Sequence, residues 1–295
     1  MNTNTTDYIG RFAPSPTGRL HLGSLVCALA SYLDAKANQG TWLIRIEDID
    51  PLREEAGAAH HIIRCLAAHG MNSDQEILWQ HDRMAAYHSA IEHLLSEKKA
   101  FFCTCTRKQI AAEGGRYPGH CRNHKTDTEN KYSVRAIVEP GTRIQFTDGI
   151  QGLQQQDLAQ EVGDFIIKRK DGLIAYQLAV AVDDAFQNIS HVVRGSDLLD
   201  STIRQIHLQK LLQLPTPSYS HIPVITHSDG HKLSKQTHAK EIKTTEARQN
   251  LRLALQLLQV QSPPPQFQTV DDLLKWGAEH WAAENIPQSM SIPWQ

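Results

Sequence analysis

Arg11-Phe-Ala-Pro-Ser-Pro-Thr-Gly-Arg-Leu-His-Leu-Gly-Ser24 is the stretch from which the fold can be read. Ahead of it, Tyr8-Ile-Gly-Arg-Phe-Ala13 has the composition of a short strand. Behind it, Leu25 to Lys36 places Leu25, Leu29, Tyr32 and Leu33 on one face at helical spacing. Pro14 and Pro16 fix the backbone of the loop between them, and Gly18 and Gly23 let that backbone approach a ligand closely. His21 and Ser24 therefore fall at a helix N-terminus, where unpaired N–H groups and the helix dipole favour an anion. This is the outline of a nucleotide site. Its spacing is neither GxxxxGK[ST] nor GxGxxG, which excludes those two families.

The next stretches extend the pattern. Thr41-Trp-Leu-Ile-Arg-Ile-Glu47 is a dense apolar run with strand composition. Strand, helix, strand makes a βαβ unit, which implies a parallel sheet with a right-handed crossover. Glu47, Asp48 and Asp50 then lie at the strand's C-terminal end, where open α/β sheets hold their ligands. Asp50-Pro51 reads as an N-cap with proline at the first helical position, predicting a helix that stops at Gly70. A second helix is predicted over Asp82–Lys99. From Phe101 the composition becomes β-rich, with short runs at Tyr132–Val138 and Arg143–Phe146. Asp171-Gly172 between Phe165–Arg169 and Leu173–Gln177 predicts a hairpin. The α/β rhythm resumes with a strand at His191–Gly195, a helix through Leu212 and a strand at Tyr219–Thr226. Two helices, Thr245–Val260 and Thr269–Ala283, flank Pro263-Pro264-Pro265.

Bulk properties narrow the class. Of 295 residues, 40% are hydrophobic and 21% charged, enough for a substantial core. Thirty basic against 32 acidic side chains give a formal net charge of −2, so any RNA contact would come from local patches. The N-terminus has no cationic or apolar leader, and no run approaches the ~18 apolar residues of a membrane span. The expectation is a cytoplasmic protein without membrane contact. Five cysteines, three of them clustered, suit a metal site better than a disulfide framework.

Lys232-Leu-Ser-Lys235 follows a Ser228-Asp229-Gly230 turn. Taken alone, two lysines around a serine are an ordinary solvated loop. Together with the phosphate-ready helix start they become two sides of one polyphosphate site, suited to displacement at an α-phosphorus. At this point the residues resemble a known family. His21-Leu-Gly-Ser24 and Lys232-Leu-Ser-Lys-Gln236 resemble the HIGH and KMSKS motifs of class I aminoacyl-tRNA synthetases. Arg11-Phe-Ala-Pro-Ser-Pro-Thr-Gly18, Arg45-Ile-Glu-Asp-Ile-Asp-Pro51 and Val193-Arg-Gly-Ser-Asp-Leu-Leu199 are similar to the glutamyl branch. Ser24 departs from the motif's second histidine, which removes one charged hydrogen-bond donor.

The resemblance implies a Rossmann-like class I synthetase core, α/β, with a β-rich zinc-bearing insertion and a short helical C-terminal segment. Its parts would be residues 1–99 and 173–240 for the two halves of the catalytic domain, 100–172 for the insertion and 241–295 for the C-terminal segment. Glutamate would be held by Arg11, Phe12, Ala13, Ser15, Glu47, Tyr176 and Arg194. Two guanidiniums suit its two carboxylates, and one glutamate side chain suits its ammonium. ATP, accompanied by Mg2+, would lie on Pro14, His21, Gly23, Ser24 and Lys235. His21, Ser24, Lys232 and Lys235 would stabilise the phosphates during reaction.

Cys103-x-Cys105 and Tyr117-x-x-x-Cys121 supply three thiolates to a tetrahedral Zn2+ site. Chemistry alone favours His124 or His120 as fourth ligand. The resemblance, to the short glutamyl-queuosine tRNA(Asp) synthetases within the branch, favours Tyr117. Length points the same way, because residues 241–295 fall short of an anticodon-binding domain of ~100–150 residues. The implied acceptor is the queuosine base in the anticodon arm of tRNA(Asp). The alternatives are an acceptor-end glutamyl-tRNA synthetase, an enzyme loading a carrier protein, and a non-catalytic RNA-binding module.

Overall fold

The computed structural model describes residues 7–124, 131–226 and 241–294. β1 (Ile9–Phe12) and β2 (Thr41–Ile46) pair in parallel, with Arg11 opposite Leu43, and α1 (Leu22–Ala37) crosses between them. Leu25, Leu29 and Leu33 are fully buried, as the helical spacing predicts. The helix begins earlier than Leu25 because His21 caps it. Its Nδ1 accepts the Ser24 N–H at 3.3 Å, which satisfies one of the orphan donors of the first turn.

Two predicted boundaries change. The helix expected from Pro51 starts instead at Ala58, as α2 (Ala58–Ala68). Asp50 to Arg53 closes as a turn, and Gly57 sits at φ +77, a left-handed conformation that glycine adopts without strain. Arg53, Glu54 and Glu55 are exposed and have no apolar face to bury, so nothing holds them helical. Gly70 does terminate the segment, at φ +74, where a Cβ would come within 2.7 Å of a Leu274 methyl. After β3 (Leu78–Trp79), parallel to β2, a 3-10 turn over Gln80–Arg83 leads into α3 (Met84–Ser96), shorter at both ends than expected.

β4 (Ala100–Cys103), β5 (Ser133–Ala136) and β8 (Phe165–Lys168) form an antiparallel sheet. Between them lie α4 (Arg107–Ala112), the hairpin β6 (Arg143–Asp148) and β7 (Gly152–Asp157), and the one-turn α5 (Leu158–Glu161). The Asp171-Gly172 turn is present, but its return arm is only a single bridge from Lys168 to Ile174. The predicted strand to Gln177 is overturned: Tyr176 opens α6 (Tyr176–Phe186), which buries Leu178, Ala179, Val180 and Ala181. Burial of four consecutive residues, covering the helix on every side, outweighs the β propensity of Leu173-Ile-Ala-Tyr.

β9 (His191–Gly195) abuts β1 on the side away from β2, where Ser190 N–H donates to Ile9 C=O at 3.0 Å. A 3-10 turn over Ser196–Leu198 and α7 (Leu199–Leu212) connect it to β10 (Ser218–Ile222), its parallel neighbour. Pro223, with no N–H to give, separates β10 from β11 (Val224–Thr226), so the single strand expected over Tyr219–Thr226 is two. Lys232, Lys235 and the rest of their loop lie outside the described residues. α8 (Ala247–Leu257) and α9 (Val270–Glu279) pack Leu251, Leu255 and Leu273 into the same apolar cluster as α1 and β2. β12 (Ser291–Pro293) pairs in parallel with β11, an element the sequence did not announce. Among the described residues no helix is long and apolar enough to cross a membrane.

Candidate active site

Where β1 lies between β2 and β9, the crossovers leave in opposite directions, and open α/β sheets form their crevice at such a point. A cavity of about 680 Å³ lies there, at the C-terminal ends of β1, β9 and β10 and the start of α1. Arg11, Phe12, Ala13, Pro14 and Ser15 form one side, His21, Gly23 and Ser24 the second, and Tyr176 and Arg194 the third. Ten of the residues singled out from sequence thus share the cavity wall. Glu47 does not reach that wall; it sits behind it, 8% exposed, with a carboxylate oxygen 3.3 Å from Arg45 Nη2. Arg19, Arg53 and Asp197 line the cavity although the sequence had not marked them as site residues.

The helix start is chemically prepared. Since His21 Nδ1 accepts from Ser24 N–H, a neutral ring carries its proton on Nε2, 2.9 Å from Ser24 Oγ. That fixes Ser24 Oγ as an acceptor toward the ring and leaves its own hydrogen to donate. Glu241, where the described chain resumes, bridges back to His21 and pairs with Arg19 at 2.6 Å. Both described ends of the Lys232 segment, Thr226 and Glu241, therefore belong to strands or bridges near this wall.

Behind the Arg11 side of the cavity lies a buried ion network. Asp184 on α6 accepts from Arg11 Nε at 3.1 Å and Nη2 at 3.3 Å, and from Arg45 Nη1 at 2.7 Å. Burial pushes the Asp184 carboxyl up, but the two guanidiniums outweigh it and hold it at about 2. Glu47 goes the other way: burial dominates over Arg45 and Arg11 and pushes it up to about 7. One carboxylate is thus committed to the arginines, and the other is held near its titration point. Asp184 carries a sequence signal that was missed. Asp183-Asp184 interrupts the apolar run from Leu178, and charges in such a run must be paired.

Arg194 is different, for among the described residues no carboxylate is within hydrogen-bond reach of it. Its Nε donates to His221 at 3.0 Å, and its Nη2 to Thr202 Oγ1 at 2.7 Å and Gln205 Oε1 at 2.8 Å, all uncharged acceptors. Its Nη1 is 3.5 Å from Tyr176 Oη, at the cavity. A buried guanidinium whose described partners are all neutral keeps its charge available to an incoming anion.

Away from the cavity, the Sγ atoms of Cys103, Cys105 and Cys121 all lie within 4.8 Å of one another. Cys105 and Cys121 sulfurs are 3.6 Å apart, close to the spacing of two thiolates on one tetrahedral ion with ~2.3 Å bonds. Tyr117 Oη stands 4.0 Å from Cys105 Sγ. His120 instead pairs with Glu113 at 2.8 Å, and His124 is exposed. Burial and its sulfur neighbours push the Cys105 thiol up to about 11. Against its own burial, Cys121 is held down at about 6, helped by hydrogen bonds from Tyr117 and the backbone of Thr104. A bound cation would favour the thiolate at Cys105 as well. The residues fit a metal ion. Lys170 Nζ donates to Thr104 C=O at 2.5 Å and Arg169 pairs with Asp50 at 3.1 Å, which ties this knuckle to the loop that carries Arg53.

A parallel sheet with its crevice at a switch point, a histidine-capped helix start and paired arginines define the catalytic domain of a class I aminoacyl-tRNA synthetase, an ATP-dependent ligase. The family model described as tRNA synthetases class I (E and Q), catalytic domain, matches residues 9–260, and the chain belongs to that family. A glutamyl-Q tRNA(Asp) synthetase of Pseudomonas fluorescens is 47% identical over 295 residues, covering 99% of this chain and 97% of that one. One from Thiobacillus denitrificans is 50% identical, covering 96% of each. The crystal structure of a glutamate tRNA ligase from Elizabethkingia meningosepticum in complex with its amino acid superposes with TM-score 0.81 at 24% identity. It is matched over 96% of this chain and 66% of its own, a likeness of fold.

Proposed function

We propose that the protein activates glutamate with ATP and transfers it to the queuosine base in the anticodon arm of tRNA(Asp). The observation that supports this most is the single wall on which Arg11 and Arg194 meet the His21–Ser24 helix start. Arg194 Nη1 would bind one carboxylate of the amino acid, and Arg11, Ser15 and Tyr176 would shape its surroundings. Glu47 would exchange its contact with Arg45 for the ammonium. The helix-start N–H groups and Ser24 Oγ would hold phosphate oxygens, with Lys232 and Lys235 brought by their loop. A glutamate carboxylate oxygen then attacks the α-phosphorus, the bond to pyrophosphate breaks, and glutamyl-adenylate forms. In the second step a hydroxyl of the queuosine ring attacks the acyl carbon and AMP leaves. Holding the carboxylate and α-phosphorus side by side and neutralising charge on pyrophosphate does the catalysis; no protein nucleophile is required.

Labelling tRNA(Asp) prepared with and without queuosine by radioactive glutamate tests the acceptor. Only the queuosine form should be charged. Equal labelling of both, or charging of tRNA(Glu) at its 3′ end, would establish the acceptor-end reaction instead.

For the knuckle, the proposed ligands are Cys103, Cys105, Cys121 and Tyr117, and the proposed ion is Zn2+. Four protein ligands leave no open position, so its role is to hold the insertion. Metal analysis should find about one zinc per chain. Cys121→Ser should lose it and lower Tm by roughly 5 °C or more, since binding energy here is folding energy. A Cys121→Ser protein with unchanged metal content would rule out the site.

A further inference from the structure

Arg194 is aimed by groups that no reading of the motif includes. A guanidinium only donates, so the His221 Nε2 facing Arg194 Nε at 3.0 Å must be an acceptor, and the ring's proton must sit on Nδ1. Asp148 enforces that tautomer. Its Oδ2 accepts from His221 Nδ1 at 2.5 Å, while its Oδ1 takes three backbone N–H groups, of Ile150 at 3.0 Å, Gln151 at 2.8 Å and His221 itself at 3.0 Å. Asp148 and His221 are 2% and 0% exposed, so water does not compete for these positions. Burial also disfavours the charged imidazolium, which would turn a second donor against Arg194.

We propose that Asp148 and His221 are positioning residues for glutamate. Asp148 holds His221 in the tautomer that receives Arg194 Nε, and this sets the guanidinium plane so that Nη1 faces the cavity. The chain runs from β6 through β10 to β9, linking the insertion's hairpin to the amino-acid site. The proposal rests on Arg194 being a glutamate ligand, and the experiment separates the two.

Asp148→Asn is the informative change because its amide cannot choose its orientation. Three backbone donors hold the carbonyl on their side, so the NH2 must face His221 Nδ1. The imidazole then shifts its proton to Nε2, and two donors meet at Arg194, the tautomer logic known from catalytic triads. His221→Gln instead keeps an acceptor near Arg194 and has no tautomer to lose.

The test is steady-state glutamate-dependent ATP–pyrophosphate exchange on the full chain. Asp148→Asn should raise KM for glutamate by about 10- to 100-fold, the size of a lost hydrogen bond to a charged group, with KM for ATP within about threefold. The double variant Asp148→Asn/His221→Gln should bind glutamate better than Asp148→Asn alone. A packing role predicts the reverse, so a double variant no better than the single, or an Asp148→Asn enzyme with unchanged KM, overturns the proposal. Should Asp148→Asn fail to fold, His221→Gln is compared with His221→Leu, where only the former retains an acceptor; equal KM values overturn it. Arg194→Gln is the separate arm: unchanged KM for glutamate there refutes the glutamate reading of Arg194 itself. A raised KM with Arg194→Gln but not with the other variants refutes only the positioning pair.

Discussion

Asp184→Asn should destabilise the protein by about 3–5 kcal/mol and abolish most glutamate-dependent exchange, because it leaves two buried guanidiniums with one carboxylate between them. The geometry leaves this charge with no route to water. Asp184 is 2% exposed and accepts from Arg11 and Arg45 together, and both arginines are equally hidden from water. Asparagine keeps the shape but removes the charge, so the cost is that of uncompensated burial rather than of a cavity. The sign with pH follows from the depressed carboxyl. Its contribution is present above the ordinary value of 3.8 and is lost as pH falls through about 2. Between pH 5 and 8 the gap between wild type and Asp184→Asn should therefore stay constant as far as this group is concerned. Urea unfolding at both ends of that range measures it; a gap below about 1 kcal/mol would mean that water or Glu47 already compensates the arginines. Exchange should fall further than stability alone requires, since Arg11 forms part of the cavity wall and Asp184 fixes its plane.

What could be read from sequence and what could not divides along physical lines. The unit from Ile9 to Ile46 was legible because its signals are local: prolines fix a loop, glycines open it, and leucines repeat at helical spacing. The start of α2 was misread because Asp50-Pro51 is equally good at opening a turn, and only the absence of anything to bury decides between the two. Tyr176 lines the cavity although its backbone is helical and not the expected strand, since motif position and backbone conformation are independent signals. The pairing of β12 with β11 depends on contacts between residues far apart in the chain and has no local pattern. Asp148 and His221 were invisible for the same reason. One looks like a turn residue and the other is one histidine among 16, and only the fold joins them across 73 positions. Sequence marked the arginines as ligands; the structure shows that one is paired with Asp184 while the other, among the described residues, is held by uncharged groups.

Glu47→Gln should trade function for stability. The wild-type carboxyl is raised to about 7 by burial, against an ordinary value of 4.5. A carboxyl raised in the folded state favours folding below its unfolded value, and that benefit is lost as pH rises through about 7. At pH 8 the buried charge is therefore a cost, of the order of 1–3 kcal/mol, that glutamine does not carry. Glutamine can still accept from Arg45 Nη2 where Glu47 does at 3.3 Å, so the network keeps its hydrogen bond. The variant should thus unfold at higher urea than wild type at pH 8, and the difference should shrink toward pH 5. Its KM for glutamate should rise by about 100-fold, because a buried amide cannot replace a carboxylate opposite an ammonium. Wild-type affinity for glutamate should likewise fall as pH drops below about 7, and Glu47→Gln should lose that limb. A variant that is stabilised yet binds glutamate normally would keep Glu47 as a partner of Arg45 and remove it from the amino-acid site. A carboxylate whose charge is costly in this buried position is one that a ligand ammonium relieves on binding.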